Sequence, residues 1–155
     1  MQANVPNSEL HIYGSGDYEA ELRELCRAHD CVKYFGTCPN SHIVSEEYKA
    51  SLLVNPRPTN EEYTQYSFPS KNMEYMASGT PVLTTKLPGM PPEYYPYVYL
   101  IEPETTEALA QTLRELLSKP SEDLFSFGQA AKSFILQEKN NLQQAKKLVQ
   151  LLKES

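Results

Sequence analysis

Short apolar runs at 10–13, 32–35, 51–55, 81–85 and 98–101 alternate with longer amphipathic or polar stretches, and this rhythm constrains the fold more than any other feature of the chain. Each run is too short for a stable helix and most are bounded by Gly, Pro or Asn, so each is predicted to be a strand. Connections of a dozen or more residues between successive runs suit crossover helices, which make the strands parallel and put helices on both sheet faces. The expectation is an α/β fold with a parallel sheet of about five strands.

The intervening stretches carry helix signals. Tyr18, Leu22, Leu25 and Cys26 recur at i, i+4, i+7 and i+8, one apolar stripe opposite Glu19, Glu21, Arg23 and Glu24. A weaker helix is predicted over 40–49 and another over 67–78, ending at Gly79, the residue type favoured just past a helix C-terminus. Beyond residue 101 the chain turns wholly helical. Thr105 is placed to cap a helix over 106–118 that Pro120 stops, and Ser121 to cap one reaching about 139. A last stripe of Leu142, Ala145, Leu148, Val149 and Leu152 has Lys146, Lys147 and Lys153 on its wet side.

A chain of 155 residues suits one compact domain and leaves no room for a second full one. Fourteen Lys and Arg against twenty Asp and Glu give a net charge of −6, which lacks the basic footprint of a nucleic-acid binder. No uncharged apolar run approaches the ~18 residues of a membrane span, and Met1-Gln2-Ala3-Asn4 is not a signal-peptide start, so an unexported protein is expected. Cys26, Cys31 and Cys38 are odd in number without Cys-x-x-Cys spacing, which reads as idle thiols. Asp occurs only at 17, 30 and 123, and His11, His29 and His42 lack ligand spacing, so neither a metal nor another cofactor is expected.

Three segments carry chemistry. Gly14-Ser15-Gly16 ends the first run before a helix, where two glycines permit close backbone approach and free N–H groups can meet a phosphate; plain turn geometry explains the same residues. The stretch 55–79 opens as a long polar loop with Arg57, Glu61, Glu62, Tyr63 and Tyr66, at the strand end where open α/β sheets place ligands. Pro69 suits a first helical turn, so Ser70 and Lys71 would stand at a helix N-terminus that favours an anion such as a diphosphate. Glu74 shares their side of the helix and could accept hydrogen bonds from two neighbouring sugar hydroxyls; a surface pair between Lys71 and Glu74 is the simpler reading. Residues 88–97, with four prolines and three tyrosines, read as a stiff surface loop that either faces a ligand or packs its rings beneath the connection.

The order of these features resembles the nucleotide-sugar-binding C-terminal domain of retaining group 1 glycosyltransferases of the GT-B fold. The resemblance is carried by Leu10-His11-Ile12-Tyr13-Gly14-Ser15-Gly16, by Val32-Lys33-Tyr34-Phe35-Gly36, and most by Ser70-Lys71-Asn72-Met73-Glu74-Tyr75-Met76-Ala77-Ser78-Gly79-Thr80-Pro81-Val82. It implies a Rossmann-like sheet. It makes Glu74 the second carboxylate of the family's paired-glutamate motif, holding the ribose, with Ser70 and Lys71 near the diphosphate. It puts Gly14 and Gly16 in the glycine turn by the donor and Gly36 at the strand end near the base. Where the first motif glutamate would stand, this chain has Tyr66, and Glu62 is the candidate substitute; Arg57 enters by loop position and charge alone.

Two departures matter. The acceptor-binding N-terminal domain of such enzymes has no counterpart here, and the usual first strand, central in the order 3-2-1-4-5-6, should precede residue 1. The sheet would have to close by pairing 10–13 with 51–55 or by recruiting a strand from another chain, so reduced stability and association between copies are expected. The resemblance thus implies the donor half of a cytoplasmic enzyme, active at the inner face of a membrane, that moves a hexose from a nucleotide diphosphate sugar to a saccharide or lipid-linked acceptor in surface-glycan synthesis. The half alone would be inactive. A non-catalytic nucleotide- or phosphate-binding module and one subunit of a bipartite transferase are the rival readings.

Overall fold

Strand β1 (Leu10–Ile12) leads through α1 (Glu19–Ala28) to β2 (Val32–Tyr34) in a computed structural model that describes residues 5, 7–66, 68 and 70–154. Then come α2 (Asn40–Lys49), β3 (Leu53–Asn55), α3 (Glu62–Tyr66), α4 (Ser70–Ser78) and β4 (Val82–Thr85). A 3₁₀ helix (Pro92–Tyr97) precedes β5 (Tyr99–Ile101), and α5 (Thr106–Leu117), α6 (Ser121–Glu138) and α7 (Asn141–Glu154) finish the chain. Met1–Asn4, Ser67 and Pro69 of the sequence argument lie outside the described residues. The chain divides into two compact units, Met1–Glu46 and Glu47–Ser155, with α2 running across the boundary.

All five predicted strands form and all pair in parallel, but as two sheets: β1 with β2, and β3-β4-β5. Leu10 and His11 are exposed, whereas a strand inside a parallel sheet is buried on both faces, so β1 lacks the burial of an interior strand.

The three-stranded sheet is covered on both faces because its strands alternate. Val82 turns toward α4, α6 and the 3₁₀ helix, in a core of Met76, Leu87, Met90, Tyr94, Val98, Ala131 and Ile135. Leu83 turns the other way, joining Ile101 and Leu116 under α5. Burial of each such side chain is worth about 1.5–3 kcal/mol. Residues 88–97 hold a 3₁₀ helix and lie at the surface on one side, with Pro88, Pro91, Pro92, Glu93 and Pro96 exposed. Met90 and Tyr94 are core residues, the ring of Phe68 lies 4.9 Å from that of Tyr94, and the packing alternative for the tyrosines holds.

Two further details differ from the sequence expectation. The polar loop 55–69 contains the short helix α3, whose Thr64 hydroxyl is fully buried and donates to the Glu61 carbonyl at 2.6 Å. Ser121 is the first residue of α6 and not its cap; Pro120 holds that position with its fixed φ and no side-chain bond. Thr105 does cap α5, its hydroxyl accepting from the Ala108 N–H at 3.1 Å. Gly79 ends α4 at φ +86°, the left-handed conformation that glycine adopts without strain.

Candidate functional site

In the first unit the glycine turns meet. The Gly14 N–H donates to the Gly36 carbonyl at 2.8 Å, and the Tyr34 hydroxyl donates to the Gly14 carbonyl at 2.7 Å, tying the carboxyl ends of β1 and β2. Gly14 at φ +120° and Gly36 at φ +65° hold backbone that other residues adopt only with strain. Among the described residues nothing stands within 4 Å of where a Cβ would sit on Gly14, Gly16 or Gly36. Beside them the Tyr13 and Phe35 rings stack 4.9 Å apart, and the exposed His42 ring meets Tyr13 edge-on at 5.9 Å.

In the second unit, α4 arises because Asn72 and Met76, four residues apart, face the interior while Ser70, Lys71 and Glu74 stay exposed. The structure thus puts three predicted site residues on the solvent side of one helix start, where unsatisfied N–H groups and the helix dipole favour negative charge. Among the described residues no hydrogen bond or ion pair within 4 Å engages the Lys71 ammonium or the Glu74 carboxylate, so their simple surface pairing does not form.

The loop before α4 is pinned by its backbone. The Thr85 hydroxyl donates to the Arg57 carbonyl, and the Thr59 N–H donates to the Glu104 carboxylate at 3.1 Å. Arg57 is half-buried, and its guanidinium has no partner among the described residues. Glu62 opens α3 and Tyr66 closes it, four residues apart and therefore on one side of that helix; both are exposed, Tyr66 to 84%. Glu62 is thus the nearest carboxylate in sequence on the Tyr66 side of α3.

Two groups escaped the sequence reading. Glu47 on α2 is only 5% exposed, and its carbonyl accepts from the Thr80 hydroxyl at 2.6 Å. Burial pushes its carboxyl above the ordinary value of 4.5, the Glu74 carboxylate adds to the rise, and the Lys71 ammonium opposes it. Burial likewise raises the Tyr75 phenol, with Glu47 and Glu74 adding to it. The signal was present, since Glu47 falls four residues after Ile43 and three after Val44, on the apolar side of α2. The other group is a buried ring of Asn55, Asn72 and Thr84, signalled by a polar residue at the inward position of α4. Among the described residues no group of three or more His, Cys, Asp or Glu could hold a metal ion. Nor is any helix long and apolar enough to cross a membrane.

Parallel strands joined through helices place the chain in the Rossmann-like α/β class. The family described as glycosyl transferases group 1 matches residues 1–119, and the chain belongs to that family. The amylovoran biosynthesis glycosyltransferase AmsK of Erwinia amylovora is 33% identical over 86 residues, which is 54% of this chain and 21% of AmsK. The crystal structure of WaaG, a glycosyltransferase involved in lipopolysaccharide biosynthesis, matches in fold with a TM-score of 0.66 and 21% identity, over 87% of this chain and 37% of WaaG. The chain therefore spans about a fifth of the curated relative and little more than a third of the solved one.

Proposed function

We propose that this chain is the donor-binding part of a glycosyltransferase that takes a hexose from a nucleotide diphosphate sugar, most simply a uridine one, to a saccharide or lipid-linked acceptor in surface-glycan synthesis. The observation that carries the reading is the solvent face of α4, where Ser70, Lys71 and Glu74 stand exposed at a helix start, the Lys71 ammonium and Glu74 carboxylate without a hydrogen bond or ion pair among the described residues. Negative charge grows on the diphosphate as it leaves the sugar, so donors fixed at that point stabilise the transition state more than the ground state. Ser70 and Lys71 supply such donors, and Glu74 accepts from the ribose hydroxyls. Gly14, Gly16 and Gly36 are proposed donor contacts made by backbone, and Arg57 and Glu62 contacts made by side chain. No metal is required, because an ammonium and helix amides take the diphosphate charge.

The acceptor half and the acid–base chemistry are proposed to lie outside this chain, which alone would bind donor without turning it over. Among the described residues each of the two sheets keeps unpaired strand edges, which support association between copies. One observation favours a second reading, nucleotide binding without transfer: Tyr66 stands where the family's first glutamate would contact the donor sugar, and it is 84% exposed.

Calorimetric titration separates these readings from none at all. Uridine diphosphate is expected to bind at least ten times more tightly than inorganic phosphate, and Glu74→Ala to weaken it about tenfold or more, the scale of a lost charge-assisted hydrogen bond. Equal affinity for the two ligands, or unchanged binding in Glu74→Ala, would contradict the donor assignment. Uridine diphosphate glucose binding no tighter than uridine diphosphate would favour the second reading.

A further inference from the structure

Asn72 is fully buried within the α4 side of the core, where Met76, Val82 and Met90 are its apolar company and a leucine would satisfy packing alone. A buried amide is costly unless its groups are used, and here they are. Its Oδ1 accepts from Asn55 Nδ2 at 2.7 Å, and its Nδ2 donates to Thr84 Oγ1 at 3.2 Å. The Thr84 hydroxyl donates in turn to the Asn55 carbonyl at 3.0 Å. The ring closes over three elements: the last residue of β3, the third of β4 and the first turn of α4.

The ladder already pairs Asn55 with Thr84, so the two strands do not need the ring to find their register. What the ring adds is the attachment of α4, and it grips that helix one residue after Lys71 and two after Ser70. Satisfied buried polar networks fix one geometry where apolar packing tolerates several. We infer that Asn72, held by Asn55 and Thr84, is a positioning residue that sets the first turn of α4 so that Ser70 and Lys71 converge on a diphosphate. The inference rests on the diphosphate part of the function proposed above and not on the nucleoside part.

The test uses inorganic pyrophosphate and uridine diphosphate as probes on the full chain and on Asn72→Leu, Thr84→Val and Thr84→Ser, each first checked for cooperative denaturant unfolding. Asn72→Leu and Thr84→Val are expected to weaken pyrophosphate about tenfold and to shift the Ser70 and Lys71 amide resonances, while Thr84→Ser, which keeps the hydroxyl, stays within twofold of the parent. On a Ser70→Ala, Lys71→Ala background, Asn72→Leu should cost less than twofold more, because it acts through those residues. A folded Asn72→Leu within twofold of the parent, or a full tenfold loss on that background, overturns the inference. If Asn72→Leu does not fold, the Thr84→Val and Thr84→Ser pair decides. Pyrophosphate binding with no preference for uridine diphosphate overturns the nucleotide reading and leaves the positioning role standing; no pyrophosphate binding overturns both.

Discussion

At Gly128 the α6 backbone comes so close to the turn after α4 that a Cβ there would stand 2.1 Å from the Gly79 carbonyl oxygen and 3.1 Å from the Pro81 nitrogen. No side chain can yield, because both neighbours are backbone. Gly128→Ala must therefore force the helix off the turn, and denaturant unfolding should show a loss of about 3 kcal/mol or more, the upper end of overpacking costs. Gly36→Ala meets open space but keeps φ +65°, so its cost should be the backbone term alone, about 1–2 kcal/mol. Glu47 makes a different prediction. Its folded carboxyl titrates above its ordinary 4.5, so the folded state holds more protons than the unfolded state just above that pH. Stability then falls as pH rises through this window and the penalty is complete once Glu47 is ionised in both states. Glu47→Gln should flatten the decline of the melting temperature as pH rises above 4.5; an unchanged pH profile would contradict the burial argument.

Among the elements, those written as a period were legible and those written as a tertiary contact were not. The cap signal at Thr105 and the stop at Pro120 predicted α5, and Thr105→Ala should cost about 1 kcal/mol in thermal or denaturant unfolding. Helix α3 was invisible because five residues, Glu-Tyr-Thr-Gln-Tyr, are too few to write an apolar period; its Thr64 hydroxyl is buried and donates to the Glu61 carbonyl. Within 88–97 the 3₁₀ helix was not foreseen, because prolines exclude a regular helix without excluding a 3₁₀ turn that buries Tyr94. At the site, the shared face of Ser70, Lys71 and Glu74 followed from helical spacing alone, whereas Asn72 and Glu47 depend on what packs above them. A buried polar residue and an exposed one carry the same letter in a sequence.

For the whole molecule, each of the two sheets keeps strand edges without a ladder partner among the described residues. If these edges pair between copies, sedimentation should show a mass that rises with concentration, and the apparent melting temperature should rise with it. A monomer whose melting is independent of concentration would count against that part of the proposal. The central claim is that a nucleoside diphosphate docks on the first turn of α4. Amide resonances of the isotope-labelled chain, followed while uridine diphosphate is added, test it most directly. The account predicts that in the second unit the largest perturbations fall on Ser70, Lys71 and Glu74; saturating shifts confined to α5, α6 or α7, or none at millimolar ligand, would contradict it.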